Sequence, residues 1–174
     1  MDAKEFAARL SATPTTEEKI SLLDSHAENL FQKGEYAQAG KFYEQAFDLE
    51  KQPNGRAYFA GQMGICAYNA GQDREAMRLL LKSARLFEPD QPEFMPDMYG
   101  FVYFHLGSLF EYHGKVAKSL EARRICEQYV DSQEKDTQWM LYAGMSRNYE
   151  ALSKPDEAIK YSQRAIQVLS LIHN

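Results

Sequence analysis

The sequence predicts an all-α protein of about four antiparallel helix pairs, and three observations predict it. First, short polar or glycine breaks recur at QKGEY, NAGQD, YHGKV and LSKPD, each with helix-like patterning on both sides. Their turn residues are Gly34, Gly71, Gly114 and Ser153, spaced 37, 43 and 39 residues apart. Second, small side chains recur at fixed distances from those turns. Five residues after each stand Ala39, Ala76, Ser119 and Ala158, and seven further on Ala46, Ser83, Cys126 and Ala165. Seven residues before each stand Ala27, Gly64, Gly107 and Ser146. Small residues facing one another let helix axes approach to the near end of the usual ~8–10 Å range, so each segment reads as a helical hairpin. Third, larger side chains lie four and eleven residues before each turn: Leu30 and Leu23, Ala67 and Ala60, Phe110 and Tyr103, Tyr149 and Tyr142. These are the expected knobs between hairpins.

Taken in order, residues 1–14 form an arm, with an amphipathic helix expected over 2–10 because Phe6 and Leu10 stand four apart; it would fold on the first hairpin as a cap. Thr13-Pro14 stops it, and Thr15-Thr16-Glu17-Glu18 reads as a capping box that opens the repeat domain, 15–174. The units are expected at about 15–53, 54–91, 92–132 and 133–174. Pro53 and Pro89 mark the exits from second helices, and the three prolines of 89–97 make the long loop behind the 43-residue spacing. The final helix, roughly Pro155 to Ile172, is expected to turn Ala158, Ile159, Ala165, Ile166 and Leu169 inward, with Tyr161, Val168 and Leu171 pointing elsewhere. No polar capping helix follows it. That edge is therefore expected to be covered by a second copy, by a partner or by further sequence.

The third unit reads Tyr103-x-x-Leu106-Gly107-x-x-Phe110, which resembles the W-x-x-L-G-x-x-Y signature of the tetratricopeptide-repeat (TPR) family with aromatic substitutions. Ala39-x-x-x-Tyr43 and Ala76-x-x-x-Leu80 resemble that family's second-helix A-x-x-x-F. Arg123 and Ser162 depart from it at the aromatic place, and His26 replaces a large apolar residue in unit one. The resemblance covers roughly residues 15 to 172. It implies a right-handed superhelix of helix pairs whose first helices line the concave side, and a non-enzymatic protein-binding role.

Composition narrows function. The 174 residues are 44% hydrophobic and 26% charged, ordinary values for a globular chain, and the net charge of −5 removes the usual electrostatic drive toward nucleic acid. No apolar run is long enough to span a bilayer, and the start lacks an export signal, so membrane insertion is not expected and a cytoplasmic location is. Cys66 and Cys126 lack metal-site spacing and read as buried small residues. His26, His105, His113 and His173 form no ligand pattern, so no metal is expected. Phosphate loops and nucleophile elbows are absent, so neither a cofactor nor catalysis is expected. The pairs Glu17/Glu18 and Glu127/Asp131 read as solvated helix faces.

The expected partner is a protein or peptide. Positions 13, 10, 6 and 3 residues before each turn share one face of a first helix. They give Ser21, Asp24, Glu28 and Phe31; then Tyr58, Gly61, Ile65 and Tyr68; then Phe101, Phe104, Ser108 and Glu111; then Met140, Ala143, Arg147 and Glu150. Tyr58, Ile65, Tyr68, Phe101 and Phe104 are the expected apolar contacts, with Arg147 on the charged rim. On this expectation Phe104→Asp abolishes binding but spares the fold, whereas Phe110→Asp unfolds the stack. Asp24 and Glu28 would repel the C-terminal carboxylate that chaperone-tail clamps of the family seize. A type III secretion translocator-like chaperone and a self-assembling structural protein whose exposed end surfaces polymerise or dimerise are the alternatives, and a homodimer through the C-terminal helix is a further expected partnership.

Overall fold

The computed structural model describes residues 3–172. Among these the chain is all-α: α1 Ala3–Ala12, α2 Thr16–Gln32, α3 Tyr36–Leu49, α4 Pro53–Asn69, α5 Asp73–Leu86, α6 Pro96–Tyr112, α7 Val116–Gln128, α8 Lys135–Ala151 and α9 Pro155–Ile172, with a 3₁₀ turn at Val130–Ser132. The pairs α2–α3, α4–α5, α6–α7 and α8–α9 are helical hairpins. They fall in two compact units, Met1–Glu88 with α1 and the first two hairpins, and Pro89–Asn174 with the other two.

Every hairpin turns in one way. The turn residue is left-handed, with φ +78°, +71° and +69° at Gly34, Gly71 and Gly114 and +56° at Ser153. The next amide donates to the carbonyl five residues back: Glu35 to Leu30 and Gln72 to Ala67 at 2.9 Å, Lys115 to Phe110 at 2.7 Å, Lys154 to Tyr149 at 2.9 Å. This is a Schellman closure, which satisfies the orphan carbonyls at a helix end. Left-handed backbone costs an L-residue roughly 1–2 kcal/mol and glycine almost nothing, so only Ser153 carries strain. Helix starts are equally local in origin. Thr15 Oγ1 accepts from the Glu18 amide (3.2 Å) while the Glu18 carboxylate accepts from the Thr15 amide (3.3 Å), the expected capping box. Pro53, Pro96 and Pro155 open α4, α6 and α9, where a missing N–H leaves no helix bond unmade.

The small residues face one another inside the hairpins. Ala27, Ala39, Ala46, Ala76, Ser83, Ser119 and Cys126 are fully buried. A Cβ on Gly64 would sit 2.8 Å from Leu80 Cγ and 3.1 Å from its backbone nitrogen, so α4 and α5 need glycine there. The serines in these columns send their hydroxyls across the hairpin: Ser83 to Ala57 O (2.7 Å), Ser119 to Gly107 O and Ser146 to Ala158 O (both 2.8 Å). Among the knobs, Leu23, Leu30, Ala60, Ala67, Tyr142 and Tyr149 are buried, whereas Tyr103 and Phe110 are half-buried.

Helix α1 extends to Ala12, beyond the expected end; Asp2 lies outside the described residues. It inserts Phe6, 3% exposed, flat on His26 at 4.0 Å and edge-on to Phe42 at 5.1 Å. His26 therefore does the work of the large apolar residue it replaces. Helix α9 differs from expectation. Its buried residues are Ala158, Tyr161, Ala165 and Val168, while Ile159 and Ile166 are 57% and 65% exposed. The decisive column lies eight residues after the turn: Leu79, Ala122 and Tyr161 are buried there and Phe42 half-buried. The α9 helix follows that column rather than its most aliphatic stripe.

Candidate partner-binding surface

In the first unit the candidate face belongs to α2 and α4. Tyr58 and Tyr68 are half-buried, as is Phe31 of α2, which meets Tyr36 edge-on at 5.1 Å. Tyr58 is held by its hydroxyl, which donates to Asp24 Oδ1 at 3.2 Å, and by Phe59, edge-on at 5.0 Å. Tyr43, buried one helix behind, donates to Glu28 Oε2 at 3.2 Å, and Gln32 donates to Glu28 Oε1. Among the described residues neither carboxylate meets a cation. Burial therefore raises the Asp24 carboxyl above its usual range, Tyr58 partly offsets this by its hydrogen bond, and the Glu28 charge adds to it. Burial, then the Asp24 charge, pushes the Tyr58 phenol up to about 12. Ile65 is only 3% exposed, a core residue rather than a surface contact.

In the second unit the candidate face belongs to α6 and α8. Phe101 is half-exposed and parallel to Phe104, their centroids 6.0 Å apart. Phe104 itself is 9% exposed and packs with Leu120, Leu141 and Met145, so the expected contrast reverses: Phe104 is core and Phe110 only half-buried. The 3-4-3 spacing selects an arc wide enough to include the edge that abuts the next first helix, and Phe104 lies on that edge.

Arg147 is exposed and paired, its Nε and Nη2 donating to Glu111 Oε1 (2.9 Å) and Oε2 (3.2 Å). Behind it lies a group that sequence reasoning treated only as a departure. Arg123 is 2% exposed. Its Nη2 donates to Glu111 Oε2 (2.6 Å), and its Nη1 to Ser119 Oγ and Asn148 Oδ1 (both 2.8 Å) and Gly144 O (3.3 Å). A Cβ at Gly107 or Gly144 would collide with this side chain. Burial alone would raise the Glu111 carboxyl, but hydrogen bonds from Arg147 and Arg123 outweigh it and hold it below the usual range. The sequence signal was the coincidence of Arg123 with Gly107, Gly144 and Asn148 on facing columns.

The remaining polar groups serve packing. Glu127, expected to be solvated, accepts from the Tyr161 hydroxyl (3.1 Å) and pairs with Arg164. Cys66 and Cys126 are buried free thiols, pushed up to about 12 by burial. Burial drives His105 down to about 4. His173 lies outside the described residues. Among the described residues no group of three or more His, Cys, Asp or Glu could hold a metal ion, and no helix is long and apolar enough to cross a membrane.

Solved structures place this architecture. BtubC from P. vanneervenii superposes with a TM-score of 0.77 at 13% identity, covering 97% of this chain and 72% of its own. MamA gives 0.71 at 18% identity, with 97% and 86% covered. A kinesin light chain of Podosopora anserina, with nearly identical TPR-like repeats, gives 0.63 at 14% identity, with 96% and 83% covered. At such identities the likeness is one of fold, and the fold is that of tetratricopeptide-repeat structures. No protein-family model matches the chain, and no curated protein matches its sequence.

Proposed function

We propose that the protein is a cytoplasmic, non-enzymatic adaptor whose first-helix faces bind an apolar peptide or helix. The observation that carries this is the pair of half-exposed, pre-positioned aromatics, Tyr58 on Asp24 in one unit and Phe101 on Phe104 in the other. Rigid rings of this kind lose little entropy on binding and recover about 25 cal/mol per Å² of apolar area covered. Tyr68 extends the first surface, and the Arg147–Glu111 pair rims the second. Phe104 supports Phe101 from within the core, and Ile65 is a core residue. A chaperone-like role, holding an apolar segment of a client, uses the same faces.

The test is a displayed peptide library selected against the full chain, followed by calorimetry on the variants. Phe101→Asp and Tyr68→Asp should each weaken a selected peptide by about tenfold or more while leaving the helical signal intact, since an unpaired carboxylate would be desolvated at the contact. Phe104→Asp should lose structure instead. Undiminished binding by both surface variants would refute the assignment. A second function, self-assembly, is favoured by the exposed Ile159 and Ile166 on α9.

A further inference from the structure

Within each unit a second helix is followed by a first helix, and in both units the contact uses the position nine residues after one turn and the position five before the next. Where α3 lies on α4, a Cβ on Gly40 would stand 3.6 Å from Cys66 Cβ, the Tyr43 and Phe59 rings are 6.4 Å apart, and the Arg56 guanidinium lies 4.4 Å over Phe47. Counted from the hairpin turns, Gly40, Tyr43 and Phe47 are six, nine and thirteen residues after; Phe59 and Cys66 are twelve and five before. Where α7 lies on α8, Arg123, nine after its turn, bonds Gly144 and Asn148, nine and five before theirs.

Carried to α9, that register selects Ile159, Ser162 and Ile166. All three are exposed. Carried to α2, it selects Leu22, Ser25 and Asn29, and these line a cleft of about 1240 Å³ that α1 walls on one side. Helix α1 stacks Phe6 on His26 and leaves Leu22, Ser25 and Asn29 on the cleft. The exposed stripe of α9 and the cleft wall of α2 are thus the two half-interfaces that join hairpins elsewhere in this chain.

We propose that a second copy of this chain occupies the cleft: α9 of one molecule docks on α2 of the next, head to tail. The proposal rests on the self-assembly reading and gives it a geometry. Ile159 and Ile166 are seven residues apart, as are Leu22 and Asn29, so both rows repeat at about 10.5 Å along their helices. Neither row contains a charged residue. The two rows therefore oppose no like charges, although the chain as a whole carries −5 and Arg9, Glu18, Lys33 and Glu35 also line the cleft. Because the two surfaces differ, the contact is heterologous, and it propagates into rings or filaments rather than stopping at a symmetric pair.

The test is sedimentation velocity on the full chain with Ile166→Asp and Ser25→Arg, both at exposed positions, with circular dichroism to confirm that each variant is folded. The parent should form species beyond the dimer as concentration rises, and each variant alone should be monomeric. An equimolar mixture of the two should give one dimer and nothing larger, since one intact α9 face and one intact α2 face remain. A Ser25→Arg protein that still dimerises would show symmetric α9 pairing and overturn the head-to-tail geometry while sparing self-assembly. A mixture that stays monomeric would also overturn it, as would a parent whose assembly neither variant disturbs. A parent that is monomeric at high micromolar concentration would remove self-assembly itself.

Discussion

The two units carry the same pair of hairpins but fill one position in opposite ways. Nine residues after the first turn of each, unit one has Tyr43 and unit two has Arg123, both fully buried. Tyr43 spends its hydroxyl on Glu28, and among the described residues the carboxylates of Glu28 and Asp24 meet hydroxyl and amide donors rather than a cation. Arg123 brings a charge into the core and surrounds it with Glu111, Ser119, Asn148 and the Gly144 carbonyl. The repeat thus accepts unlike chemistries at one column provided the polar end reaches partners. Unit one is left with an uncompensated acidic rim, and unit two with a rim neutralised by Arg147.

The largest test of this contrast removes the buried cation. Arg123→Ala should cost about 3–5 kcal/mol, because it removes the buried cation bonded to Glu111, Ser119 and Asn148 and opens a cavity between Gly107 and Gly144. Chemical denaturation should show the loss. A cost below about 1 kcal/mol would mean the network adds nothing to packing. Tyr43→Phe, which deletes only a hydroxyl, should cost about 0.5–1.5 kcal/mol.

The acid response should separate the units next. Asp24 is raised in the folded state, so protonation favours the fold: its contribution is present below the unfolded carboxylate pKa and is lost as pH rises through the folded value. Glu111 is lowered, so its contribution is present above the unfolded value and is lost as pH falls through the folded one. Hydrogen exchange should show slower opening of α2 as pH falls from neutral toward the carboxylate range, and faster opening of α6 only as pH falls below that range. Asp24→Asn should abolish the first effect and leave the second. If both units respond with the same sign, the contrast between the two rims fails.

The smallest effect concerns the turns. Unit one closes both hairpins on glycine, and unit two has Gly114 and Ser153. Ser153→Gly should stabilise the α8–α9 hairpin by about 1 kcal/mol, read as a shift of the denaturation midpoint, because φ +56° strains serine and not glycine. No shift would mean that the backbone relaxes around the serine.

Much of the fold was legible because its determinants are local. The turns at Gly34, Gly71, Gly114 and Ser153, the Thr15–Glu18 box and the buried small columns each follow from a few neighbouring residues. The faces were less legible. Phe104 and Phe110 are chemically alike, and only the neighbouring helix decides which is covered. In α9, Ile159 and Ile166 are more aliphatic than Tyr161, yet Tyr161 is buried because its ring stacks on Tyr149 at 5.3 Å and its hydroxyl reaches Glu127.

By itself the sequence determined the helical class, the number and register of the hairpins, and the places where helices begin and turn, since backbone hydrogen bonding and glycine freedom act over five or six residues. Tertiary structure decided which aromatic faces stay open, why an arginine can be buried at position 123, and which stripe of α9 is exposed. Burial and the desolvation of charge depend on atoms brought close from distant parts of the chain, and spacing along a single helix does not specify those neighbours.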